Sequence, residues 1–165
     1  MPNSEAYISV SDADAYFAAR GNAAWVSLDD NAKEAALRAG CDWLESRYRW
    51  QGERTTAPRG LMCVPPGAVP QALSWPRRGV IVDNVLLSSH VVPSAICRAN
   101  AELALRASSS ALAPDEGTQV TRETVGPITV EYQDGARQNP RFAAVEALLT
   151  PYTIGGPSGC SILRA

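Results

Sequence analysis

The chain has 165 residues, a formal net charge of −2, 45% hydrophobic residues and 19% charged ones. That length suits one domain around one core, and the near-neutral balance argues against a protein whose main task is to coat a polyanion, because each neutralised phosphate needs its own cation. Apolar runs such as 79–82 and 85–87 are far too short for a bilayer span. The N-terminal MPNSEAYISVSDADAYF has neither the basic start nor the apolar core of a secretory signal, which predicts a protein made and kept in a cytoplasm or in a particle assembled there.

Ser11 with Asp14 three residues on reads as an N-cap with an acid near the positive end of the helix dipole, opening a helix to about Arg20 that Gly21-Asn22 stops. Asp29, Asp30 and Asn31 cap the next helix, expected over residues 30–50. Lys33, Leu37, Cys41, Leu44 and Tyr48 recur on one face, with Ala36, Trp43, Arg47 and Trp50 beside it. From Gln51 to about residue 91 the pattern disappears under Pro58, Gly60, Pro65, Pro66, Gly67, Pro70, Pro76 and Gly79. A loop of that length inside a compact domain is expected to be functional or ordered by a partner. Val92-Pro93 starts a third helix with Ile96, Ala99, Leu103 and Ala107 on its apolar face, ended by Ser108 to Ser110. Alternation at Gln119 to Thr124 and Ile128 to Tyr132, around Gly126-Pro127, predicts a β-hairpin. Pro140 opens a last short helix carrying Phe142, Val145, Leu148 and Leu149, and Pro151 closes it. The fold class expected is mainly α: a bundle of about four helices over residues 1–150 with one β-hairpin and a long partner-ordered loop, followed by a flexible tail, 151–165, with an apolar tip at Ile162-Leu163.

Catalytic chemistry has little to stand on. Cys41, Cys63, Cys97 and Cys160 are scattered, His90 is the sole histidine, and no phosphate-binding glycine loop, metalloprotease motif or nucleophile elbow occurs. The expectation is no enzyme, no metal and no cofactor. Charge is uneven: residues 1–46 carry eight acids against three bases, 47–82 one acid against six arginines, and 83–165 eight acids against six bases. The arginine zone interleaves with aromatics in RYRWQGER (47–54) and again in SWPRR (74–78), the composition of a platform that stacks bases and clamps phosphates. It is equally the composition of a helix end favoured by its dipole, beside a tryptophan that pins a loop.

Five stretches, YISVSDADAYFAARG (7–21), KEAALRAGCDWLESRYRWQGER (33–54), ALSWPRRGV (72–80), VPSAICRANAELAL (92–105) and VGPITVEY (125–132), occur in an order and spacing that resembles the head–tail connector, or adaptor, proteins of long-tailed bacteriophages, a group often labelled DnaT-like single-stranded-DNA-binding proteins. The resemblance implies a virion protein of the neck that forms a dodecameric ring below the portal. Such a ring extends the channel through which double-stranded DNA passes without tight binding, and it docks the tail or a neck protein. On that plan Arg47, Arg54, Arg59, Arg77, Arg78, Ile162 and Leu163 are candidate contacts to a neighbouring copy or to the portal. Trp75, held extended by Pro76, is expected to anchor the end of the loop against the bundle, near the helix carrying Trp43 and Leu44, with Arg77 and Arg78 pointing outward. Two other readings stay open: a single-stranded-DNA-binding replication protein using Trp50 and Trp75, and a tail-completion or neck protein of the same particle.

Overall fold

A computed structural model describes residues 5–55, 71–114, 122–125, 128–131 and 141–155. Its helices are α1 (Val10–Ala18), α2 (Ala23–Val26), α3 (Asp30–Arg47), α4 (Ser94–Ala107) and α5 (Ala143–Leu149). Among the described residues six short strands, β1 (Glu53–Arg54), β2 (Arg77–Arg78), β3 (Ile81–Val82), β4 (Val85–Leu86), β5 (Arg122–Val125) and β6 (Ile128–Glu131), form three separate antiparallel pairs. The protein is mainly α with hairpins, as the periodicity indicates.

The first helix starts one turn-fraction earlier than its sequence suggests. Ser9, not Ser11, is the N-cap: its hydroxyl oxygen accepts from the Asp12 N–H at 3.1 Å, which puts Asp12 rather than Asp14 in the first turn. Asp14 is thereby released for tertiary work. It accepts from the Trp25 indole N–H at 2.7 Å and lies 3.1 Å from the Lys33 ammonium. Lys33 sits on the apolar face of α3 because its stem is buried there while its charge reaches Asp14. The four-residue α2, capped by Asn22, has too few residues for a periodic signal; it exists to drive Trp25 into the core beside Phe17, ring centroids 4.8 Å apart.

Asp29 caps α3 by accepting from Ala32 N–H at 2.6 Å. The helix ends at Arg47, short of the expected residue 50, because Tyr48 turns extended and Trp50 forms a bridge with Thr153. Helices α3 and α4 make the central contact of the fold. Gly40 permits it: a Cβ there would meet Asn100 Nδ2 at 2.9 Å and the Ala104 backbone nitrogen at 3.1 Å. Around that crossing Cys41, Leu44, Ile96, Ala99 and Leu103 are buried and join Val145 and Leu149 of α5 in one core; Phe17, Trp25, Leu37 and Ala101 form a second cluster. A buried aliphatic side chain of this kind is worth about 1.5–3 kcal/mol.

The segment 51–91 differs from a patternless loop at both of its described ends. β1 pairs with β2, and β3 with β4 across a tight turn in which Asp83 and Asn84 both adopt positive φ, a hairpin geometry these residue types tolerate. Two-residue strands are too short to show alternation. The hairpin expected around Gly126-Pro127 is present as β5 and β6, in register from Arg122↔Glu131 to Val125↔Ile128. The ordered body runs past Pro151: Gln51 N–H donates to Tyr152 O at 2.9 Å and Ile154 N–H to Arg49 O at 2.8 Å. Residues 156–165, with Ile162 and Leu163, lie outside the described residues, as do 56–70 with Arg59 and Cys63.

Candidate interaction site: the SWPRR corner and the arginine zone

Helix α3 carries Glu45 one turn beyond Cys41, on the flank that faces the start of the chain and the 71–82 segment. The Tyr7 hydroxyl donates to Glu45 Oε1, while the Ser74 N–H at 3.1 Å and the Ser74 hydroxyl at 2.7 Å donate to Oε2. One carboxylate thus ties residues 7, 45 and 74 together. Burial, with Glu45 beside it, holds the Tyr7 phenol well above its ordinary pKa.

Trp75 follows directly and is only 2% exposed. It packs in the cluster with Leu44 and Ile96, edge-on to Trp50 at 5.8 Å and to Tyr152 at 5.9 Å, and the Trp75–Pro76 bond is cis. Trp43 is not its ring partner; that ring sits against Tyr48 at 5.7 Å and Phe142 at 5.4 Å. The indole nitrogens of Trp50 and Trp75 are buried and have no hydrogen-bond partner among the described residues, so these rings serve by their apolar faces.

The arginines divide into two groups. Arg77 turns inward, which corrects the expectation that it points out: its guanidinium donates to Gln51 O at 2.6 Å, Gly52 O at 2.6 Å and Ser74 O at 3.2 Å. The cause is local backbone geometry. Gly52, at positive φ, brings its carbonyl and that of Gln51 beside β2, and a Cβ there would meet Arg78 O at 2.3 Å. Burial, and then the charge of Arg54, lowers the pKa of Arg77. Arg54 itself reaches Ser74 Oγ at 3.3 Å and Glu45 Oε2 at 3.8 Å, and Arg78 pairs with Glu53 at 3.0 Å across the β1–β2 register. Arg47 and Arg49 form the other group. Both are exposed, and Arg47 lies 5.8 Å from the Trp43 ring centroid.

A stacking platform needs open aromatic faces, and among the described residues no aromatic side chain is exposed; each is buried or half-buried. Exposed apolar surface is aliphatic instead. Ile81, Val85, Leu86 and Val91 are 56–67% exposed along the β3–β4 hairpin and the run into α4. Burial pushes the Cys41 thiol up to about 12, so it is an inert packing group at neutral pH. Among the described residues no group of three His, Cys, Asp or Glu side chains is placed to hold a metal ion, and no helix is long and apolar enough to cross a membrane.

Sequence reasoning overlooked Glu45 and Asn100. Asn100 is fully buried, its Oδ1 accepting from Tyr7 N–H at 3.0 Å and its Nδ2 donating to Leu37 O at 3.0 Å. The available signal was a polar residue at a core position: Asn100 lies between Ala99 and Ala101 on the face of Ile96 and Leu103, and Glu45 follows Cys41 at i+4.

No curated protein and no solved structure matches the chain. A family model described as "Putative DnaT-like ssDNA binding protein" matches residues 1–165, and the protein belongs to that family.

Proposed function

We propose that this protein is a structural head–tail connector of a long-tailed bacteriophage. It is made in the bacterial cytoplasm and built into the virion neck as a ring between the portal and the tail or a further neck protein, with the DNA channel passing through it and no catalytic role. The observation that carries the reading is the use made of the aromatic and arginine residues. Trp50 and Trp75 are spent on packing, and Arg54, Arg77 and Arg78 on partners within the chain. What remains on the surface at Ile81, Val85, Leu86 and Val91 is aliphatic, suited to protein contact rather than to bases.

The alternative, a single-stranded-DNA-binding protein, is favoured by the family description and by the exposed Arg47 and Arg49. It is the weaker reading because, among the described residues, the exposed cations stand beside no open aromatic face on which a base could stack. Mass spectrometry of purified virions and of filled heads lacking tails tests the proposal. The connector is expected in both, at a stoichiometry of several copies per portal; absence from both particles overturns it, and presence on free tails alone moves it to the tail-completion class.

A further inference from the structure

A groove of about 500 Å³ runs between the start of the chain and the N-terminal end of α4. Its walls are largely apolar, with Ile8, Leu73, Trp75 and Val91 among them, and Val91 is 60% exposed. Asp12 is the only charged residue that lines it among the described residues, and among these its carboxylate meets no cation; it accepts from the Ser9 hydroxyl at 2.7 Å. Concave apolar surface with one fixed charge at its rim suits a short segment of apolar side chains followed by a cation.

The chain carries such a segment. Ile162, Leu163 and Arg164 follow Gly155, Gly156, Pro157, Ser158 and Gly159, which have the composition of a tether. The place from which that tether departs is fixed. Ile154 N–H donates to the Arg49 carbonyl at 2.8 Å, and the Tyr152 ring lies edge-on to Trp75 at 5.9 Å. One indole therefore borders both the groove and the end of the ordered body. Ile162 comes eight residues after Ile154, a reach of up to about 27 Å.

We propose that residues 162–164 dock in this groove of their own chain, Ile162 and Leu163 against Leu73, Trp75 and Val91, and Arg164 at Asp12. A short tether holds the segment at an effective concentration of about millimolar, so a contact of modest affinity suffices to cover the groove. The acceptor for Ile162 and Leu163 is then the chain itself rather than a neighbouring copy or the portal. The consequence is a masked surface: a partner segment of like chemistry, apolar and then basic, gains the groove only by displacing the tail. None of this depends on the connector reading.

Native cysteines supply the first test. Cys97 lines the groove and Cys160 stands two residues before Ile162. Full-length protein is oxidised with diamide at low micromolar concentration, and non-reduced digests of the separated monomer and dimer bands are mapped by mass spectrometry. A Cys97–Cys160 link within the monomer is expected. The same link confined to covalent dimers makes the occupant a second copy, and a Cys63–Cys97 link in its place makes it another part of the chain; either overturns the proposal. The second test is independent of thiol reactivity. A fluorescein-labelled Ser-Ile-Leu-Arg-Ala peptide is titrated, by anisotropy, into wild type and into the full-length Ile162→Ser, Leu163→Ser variant, with thermal melts to confirm folding. The variant should bind the peptide at least about tenfold more tightly than wild type, since its groove is open. Asp12→Asn added to that variant should weaken the peptide by about tenfold. Equal affinity for wild type and variant, or no binding to either, overturns the proposal.

Discussion

The α3–α4 pair and the SWPRR corner are held by different physics. The helix pair is a periodic interface: Cys41 and Leu44 cluster with Ile96, Ala99 and Leu103, and Leu37 with Ala101 and Ala104, at helical spacing, with Gly40 setting the closeness of approach. The corner has no period. It depends on one buried indole, one carboxylate that gathers Tyr7 and Ser74, and one guanidinium that satisfies three carbonyls. Apolar area secures the first region and specific polar geometry the second. The residues that looked most like a ligand-binding surface are therefore the ones the fold consumes.

The comparison can be broken most sharply at Trp75. Trp75→Ala should cost about 3–5 kcal/mol in urea unfolding, the penalty of an emptied core site, whereas Trp75→Phe should cost far less, since the indole nitrogen makes no hydrogen bond. Equal losses for the two would mean that the nitrogen matters and the apolar account is wrong. Asn100→Ala should cost about 2–3 kcal/mol by stranding the buried Tyr7 N–H. Arg77→Ala should cost about 1–2 kcal/mol, because the carbonyls it leaves are reached by water at least in part. By contrast, Arg47→Glu with Arg49→Glu should change stability by less than about 0.5 kcal/mol, as expected of exposed side chains that have no ion-pair partner among the described residues. A large loss there would erase the division between consumed and free arginines.

The smallest effect concerns acid. The Trp25 indole N–H, and then Lys33, hold the Asp14 carboxyl below its ordinary pKa. Its folded value is depressed, so its contribution is complete above the unfolded value of about 3.9 and is lost as pH falls through the lower folded one. A pH series of melts should show wild type losing stability below about pH 4 more steeply than Asp14→Asn.

Legibility in the sequence followed the same divide. The helices α3 and α4 and the β5–β6 hairpin were readable because burial on one face of a regular element imposes a period. Asp29 was readable as a cap because its chemistry is local. α2 and the strand pairs β1–β2 and β3–β4 were not: two-residue strands and a single helical turn show no period, and β1–β2 also joins segments far apart in the chain, such as Glu53 with Arg78. The inward turn of Arg77 was hidden for the same reason: its acceptors are the carbonyls of Gln51 and Gly52, some 25 residues away. Tryptophan beside arginine has one composition whether it stacks on a base or seals a core, and only burial separates the two.

The most direct test of the central claim is a fluorescence-anisotropy titration of a labelled single-stranded oligonucleotide with the wild-type chain at physiological salt, repeated at low salt. The account predicts no saturable binding at physiological salt, and at low salt only weak binding that disappears in Arg47→Glu with Arg49→Glu. Saturable binding at physiological salt that is lost in a folded Trp50 or Trp75 variant would contradict it and make the protein a single-stranded-DNA binder.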